Sequence, residues 1–338
     1  MIQNLTAMND DIAYELNVSY PIFDSQNEYI KDTTLISGLL NQSGEILQEG
    51  SLNKWTLGGA VEVARNVFVG ANLNIISGSY KRNREYYEDD THDVYESTLY
   101  TFPGDSRTGD FQSFYLNDIL DWDIAGWDLA VGILYRVNQF VDVGTTIKFP
   151  TSYTIKEKYY VDGRSQFGTG SSFTLNPPIL NELEYDISTP FEFTGSAAVK
   201  IESLTLSGDV KFIDFTQMEF DKGLEPNQIS RNNKDIIEMF RSTVNFNGGA
   251  EFVIPMIGIK IRGGFIYQPS PFKGDPSEYD RKYVTAGLGF DNNDSFALDI
   301  GYAYGWWKDF GDNYGFNVSR TFQDINMHNL VLSVKYRY

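Results

Sequence analysis

The feature that most limits the fold of this chain is a two-residue hydrophobic period that returns from Trp55 to the C-terminus. At the end of the chain Leu330, Leu332, Val334, Tyr336 and Tyr338 alternate with Asn329, Val331, Ser333, Lys335 and Arg337. Successive strand side chains point to opposite faces, so this spacing separates an apolar face from a mixed polar one. The pattern also makes hairpins. Trp55, Leu57, Gly59, Val61 and Val63 lead through Arg65-Asn66 into Val67, Val69, Ala71, Leu73 and Ile75. Similar units turn at Asn138-Gln139, Glu202-Ser203, Pro255-Met256 and Asn292-Asn293-Asp294. A helix period fits none of them.

The second faces carry Asp142, Lys148, Lys200, Asp209, Lys211, Glu251, Lys260, Arg262 and Asp299 among many small residues. In a soluble sandwich the apolar face would turn inward and the charged face outward. Two features favour the reverse arrangement, a barrel in lipid. The short turns share one end of the hairpins, and long polar connections (85–120, 162–182, 223–243, 269–281 and 308–321) share the other. Aromatic residues, 15% of the chain, gather at strand ends, where membrane girdles stand. No apolar run reaches the roughly 20 residues of a helical span. The mean hydropathy of −0.32 suits a barrel, since half of each spanning strand faces a polar interior.

Charge and composition exclude several function classes. A net charge of −19 opposes nucleic-acid binding, which needs clustered Lys and Arg. The absence of cysteine removes disulfide frameworks and thiol-based metal or redox centres. The expected fold is all-β, an antiparallel transmembrane outer-membrane β-barrel with about eleven strands. Residues 51–338 form the barrel portion, and residues 1–50, where alternation fails, form a loop-like segment on the extracellular side. Met1-Ile2-Gln3-Asn4 starts no visible signal peptide. Single-chain barrels have an even strand count with both ends periplasmic. An odd count therefore leads to the expectation that upstream strands lie outside this sequence, leaving the last strand an unpaired edge.

Several segments resemble the FadL/TodX family of outer-membrane transporters for long-chain fatty acids and other hydrophobic compounds. The strongest is Thr189-Pro190-Phe191-Glu192-Phe193-Thr194-Gly195-Ser196, with Ser207-Gly208-Asp209-Val210-Lys211-Phe212 after it. Trp127 to Pro150 is similar to the family hairpin whose second strand ends in Pro-Thr. Arg262-Gly263-Gly264-Phe265 through Pro271, and Leu298-Asp299-Ile300-Gly301-Tyr302, resemble later strands. The resemblance covers most of residues 53–338. It implies a 14-stranded type of barrel and passive uptake of hydrophobic compounds across the cell outer membrane by a monomer. Partners would be hydrophobic small molecules or fatty acids and outer-membrane lipid, with no cofactor and no catalytic residue. Fatty acid, aromatic hydrocarbon and other lipids all fit. The family's Asn-Pro-Ala hatch motif does not occur here, so no hatch residue is assigned.

Four residues form the candidate ligand contact. Ile236, Ile237 and Phe240, with Met239 beside them, make an apolar face on a loop helix over 233–240, opposite Lys234, Asp235 and Glu238. This face reads either as the lip of a capture groove or as packing on the rim. The acidic run Glu85, Glu88, Asp89, Asp90, Asp93 and Glu96 is carboxylate-rich enough for Ca²⁺ but lacks the EF-hand order. It reads better as a solvated loop, so no metal site is assigned. The lumen charges are expected to pair across strands. A non-specific porin or surface adhesin is the alternative. A hydrolase would need a nucleophile beside His92 or His328, the latter with Asn326 and Asn329 nearby.

Overall fold

The computed structural model describes residues 10–36, 38–291, 296–312 and 320–336. It opens with a short helix, α1 (Asp10–Glu15), and a hairpin of β1 (Tyr20–Phe23) with β2 (Tyr29–Thr33). One large antiparallel sheet follows: β3 (Asn41–Ala64), β4 (Val67–Asp89), β5 (Phe111–Arg136), β6 (Val141–Lys148), β7 (Ser152–Phe167), the short β8 (Ser172–Thr174), β9 (Ile179–Ser188), β10 (Glu192–Ile201), β11 (Leu204–Asp214) and β12 (Glu219–Lys222). After a loop helix, α2 (Pro226–Met239), come β13 (Ser242–Ile254), β14 (Ile259–Gln268), β15 (Arg281–Asp291), β16 (Phe296–Asp312) and β17 (Arg320–Tyr336).

Three pairs of these strands are single wall strands interrupted midway. The full length of β5 is matched on one side by β6 at its lower end (Ala130 opposite Lys148) and by β7 at its upper end (Trp127 opposite Ser152). The same interruption separates β9 from β10 and β11 from β12. Pro150 and Pro190 stand in the first two gaps, and a proline has no N–H to donate to the ladder. The strands stay tied there by Thr189 N donating to Thr151 O at 3.0 Å and Thr151 N donating to Thr189 Oγ1 at 2.9 Å. Each proline gap also shifts the facing by one residue. Lys148 faces inward below the break in company with Glu192, whereas Ile155 and Tyr185 face inward above it. A one-residue slip exchanges the two faces of a strand, so this break is where the wall can change character.

Counting these continuous pairs once and setting aside the three-residue β8, the described wall has the eleven strands that the sequence pattern implies. The short turns fall as expected at Arg65-Asn66, where Asn66 has φ 66°, and at Glu202-Ser203, where Glu202 has φ 50°. The turn after β13 is longer than read from sequence, because Ile257 lies in it and β14 starts at Ile259. The turn at Asn292-Asn293-Asp294 lies outside the described residues, as do Arg337 and Tyr338. Among the described residues β3 pairs with β4 alone and β17 with β16 alone.

Two sequence expectations need correction. Residues 1–50 are not all loop, for they hold α1, the β1–β2 hairpin and the first ten residues of β3. The wall strands also run past the expected loop boundaries. The connection read as 85–120 shrinks to 90–110, and β16 continues to Asp312. The apolar alternation stops at the edge of the lipid, but backbone ladders need no apolar neighbours and continue beyond it.

Candidate functional site

The outward faces of the lower wall form an apolar belt. On β5 it is Trp127, Leu129, Val131, Ile133 and Tyr135, lying opposite Ile75, Leu73, Ala71, Val69 and Val67 of β4. On the last strands Leu298, Ile300 and Tyr302 lie beside Val334, Leu332 and Leu330. Most of these side chains are exposed, Trp127 at 56% and Leu330 at 75%. Such a continuous apolar surface is stable only against a non-aqueous partner.

The inward faces are small and polar, and their charges pair across neighbouring strands as expected. Glu192 accepts from both Lys148 (3.0 Å) and Lys211 (2.7 Å). Asp142 accepts from Lys200 at 2.8 Å and lies 3.5 Å from Arg136 Nε. Arg262 bridges Glu251 (2.6 Å) and Asp299 (2.5 Å), and Lys260 meets Asp291 at 3.3 Å. Gly289 makes room for this cluster, since a Cβ there would collide with the Asp299 carboxylate and lie 3.1 Å from Arg262 Nη1. Asp209 departs from the expected scheme, for its partner is the Asn247 amide at 2.7 Å. Glu192, Asp142 and Asp291 were not foreseen as partners, because register across three strands decides them and a single strand's alternation does not.

Between these clusters the wall is hollowed into a concavity of about 670 Å³, lined by Gly144, Ser196, Ser207, Asn247, Gly249 and Gly264 among others. Paired charges and small side chains line it.

At the outer end the inside turns apolar. Ile12, Leu16 and Val18, from the chain just before β1, are buried against Tyr86, Phe111, Phe114, Val161 and Phe167. Ser165 Oγ donates to Leu16 O and Thr101 Oγ1 to Asn17 O, both at 2.6 Å, fixing this segment across the top of β4, β5 and β7. Sequence reasoning missed this cap. Its one signal, the apolar richness of Ile12 to Phe23, has no period, because the segment packs as an irregular filler.

The predicted loop-helix residues divide into two pairs. The helix exists as expected, and Asn233 anchors it by accepting from Phe220 N at 2.8 Å. Ile236 is buried at 7%, and the Phe240 ring lies against Phe272 with centroids 4.6 Å apart. Ile237 and Met239 are exposed at 57% and 51%. Ile236 and Phe240 therefore hold the helix down while the other two remain open to solvent.

The acidic run is largely structural. Asp90 accepts from Val94 N and Tyr95 N, and Glu88, buried at 2%, accepts from the Tyr86 hydroxyl and the Gln42 amide. Among the described residues no group of three or more His, Asp or Glu side chains is arranged to hold a metal. His328 faces outward with Nδ1 2.7 Å from the Tyr302 hydroxyl, and Asn329 falls on the opposite face. That is a girdle contact and not a triad.

No family model matches the chain, and no curated protein matches its sequence. Solved structures do match. The monoaromatic hydrocarbon channel CymD aligns with a TM-score of 0.54 at 13% identity, over 95% of this chain and 86% of that one. A FadL homologue from Pseudomonas aeruginosa aligns at 0.52 and 11% identity, over 94% of this chain and 72% of that one. The chain has their fold. It is the antiparallel β-barrel fold of outer-membrane channels, and the exposed belt is the surface such a wall turns to the lipid of that membrane.

Proposed function

We propose that this wall belongs to an outer-membrane channel for the passive uptake of hydrophobic compounds. The observation that carries the reading is the combination of a FadL-type channel fold over nearly the whole chain with a wall whose lumen charges are matched. Ligand would first partition onto exposed apolar residues at the outer mouth, Ile237 and Met239 among them, beside the packed Ile236 and Phe240. It would then pass the polar wall and leave for the bilayer. Burial at about 25 cal/mol per Å² makes every 100 Å² of apolar ligand surface worth about 2.5 kcal/mol, enough for capture without covalent chemistry.

Monoaromatic compounds and long-chain fatty acids are the two ligand classes to separate. Asp93 and Glu96, the exposed members of the acidic run, favour a neutral compound at first contact, since a carboxylate approaching them meets like charge. The test is uptake of labelled toluene, labelled oleate and a labelled sugar by vesicles holding the protein. Entry of either hydrophobic compound above that of empty vesicles, without sugar entry, is expected. Sugar entry alone would replace this reading with that of a non-specific porin.

A further inference from the structure

A groove on the outer side of the wall combines a largely apolar floor with charged side chains. From Phe296 to Trp306 the outward residues of β16 run up the apolar belt, and this distance is about the 9–11 residues of one membrane crossing. Trp306, paired with Lys282 on β15 and Asn326 on β17, therefore stands at the outer edge of the lipid. There the surface forms a groove of about 690 Å³ whose lining includes Lys282, Tyr304, Trp306, Lys308, Asp324 and Asn326 beside the apolar Val284, Trp307 and Ile325. We propose that this groove seats the phosphorylated sugar headgroup of an outer-leaflet glycolipid.

Position selects the occupant. The groove continues the lipid-facing belt of Ile300, Tyr302, Leu330 and Leu332 upward, so acyl chains lying on the belt would bring their headgroup to it. Lys282, Tyr304, Trp306, Lys308, Asp324 and Asn326 share the outward face of their strands, away from the lumen. The chemistry fits a phosphorylated sugar. Tyr304 and Trp306 stack with ring planes 22° apart and centroids at 5.7 Å, a flat amphipathic platform for the apolar face of a pyranose. The Tyr304 hydroxyl donates to Asn326 Oδ1 at 2.6 Å, which orients the Asn326 amide N–H groups for a sugar oxygen.

Two ammonium groups flank the platform. Lys282 Nζ donates to Ser277 O at 2.7 Å, and Lys308 Nζ to Glu278 Oε2 at 3.1 Å. Each ammonium carries three N–H groups, so these contacts orient it and leave donors for phosphate oxygens. Glu278 and Asp324 are acceptors for sugar hydroxyl or amide groups. The groove thus works through placed donors and stacking, since its charges balance. The proposal depends on the wall standing in the outer membrane and is independent of what the channel passes.

The test uses the full chain in nanodiscs of phosphatidylethanolamine doped with either diphosphoryl lipid A or phosphatidylglycerol. Bound lipid is counted by native mass spectrometry after release into detergent. Wild type should retain lipid A over phosphatidylglycerol. The double variant K282Q/K308Q should lose about tenfold in lipid A retention, Trp306→Ala should lose it as well, and K282R/K308R should keep it. Trp127→Ala, an aromatic on a distant part of the belt, controls for general loss of lipid contact and should leave retention unchanged. Toluene uptake by K282Q/K308Q should equal that of wild type, which separates this seat from the conduit. Equal retention of both lipids by wild type, or equal lipid A retention by wild type and K282Q/K308Q, overturns the proposal.

Discussion

The lower and upper halves of β5 are the same strand with opposite polarity. Below Trp127, Leu129, Val131 and Ile133 point outward and Asp128 and Gly132 point inward; above it, Asp121 and Asp123 point outward while Phe114 and Leu116 are buried inside. The neighbouring strands agree. Above the proline gaps the exterior carries Lys156 with Glu184, Lys158 with Glu182 and Lys222 with Asp186. Lower down, the equivalent face carries Phe193, Val199 and Ile201. The difference lies in the solvent each half meets. In lipid a strand must be apolar outside, whereas in water it behaves as a soluble sheet and hides its apolar face. The outer extension is in effect a small soluble domain grown from the rim of a membrane wall.

Substitutions can break this comparison where it is strongest. Phe114→Ala should remove about 3–5 kcal/mol from the outer cap, the usual cost of emptying an aromatic core site. Hydrogen exchange should show amides of β7 and α1 opening while those of β13–β15 keep their protection. Parallel loss everywhere would mean the two halves are one cooperative unit. Val131→Arg, near the middle of the belt, should cost about 2–4 kcal/mol in vesicle unfolding measurements, as expected for a charge at the bilayer midplane. Asp123→Arg, on the same face only eight residues away, should cost almost nothing. If both cost the same, the belt does not end at Trp127.

Smaller effects sharpen the boundary. A double-mutant cycle on Lys156 and Glu184, both largely exposed, should give a coupling of about 0.2–1 kcal/mol that fades with salt. A much larger coupling would indicate that this pair is shielded from water. The weakest signal is pH. The Thr154 hydroxyl, and then the Lys222 ammonium, hold the Asp186 carboxyl below its ordinary value. A carboxyl with a lowered folded pKa stabilises at pH above its unfolded value, about 3.9, and loses that contribution as pH falls through the lower folded value. The β9–β12 contact should therefore be insensitive between pH 8 and 5 and loosen only in stronger acid. Loosening near pH 6 would assign the contact to another group.

At the outer mouth Ile237→Asp with Met239→Asp should slow hydrophobic uptake several-fold at low ligand concentration while leaving the fold intact, because neither side chain is buried. Ile236→Asp should instead release the helix. Equal uptake by wild type and the first double variant would leave only the rim-packing role for this helix.

The resemblance to channel structures was legible in the sequence because a two-residue period is a local property. Each strand of the belt, from Trp55–Val63 to Leu330–Tyr336, declares its lipid face without reference to any other. The short turns at Asn66 and Glu202 were legible too, since the chain must reverse where the period stops. By itself, then, the sequence determined the strand class, the belt, the sense of the hairpins and the need for charge pairing.

Tertiary structure decided the rest. Which carboxylate meets Lys148 or Lys200 depends on register between strands some fifty residues apart, and no alternation encodes that. The cap of Ile12, Leu16 and Val18 is held by Ser165 and Thr101, whose hydroxyls find backbone carbonyls far away in sequence. Above the proline gaps the pattern inverts, so a reader looking for lipid-facing residues takes strand for loop. A hydrophobic period reports which face avoids water, and only the assembled wall reveals where the water is.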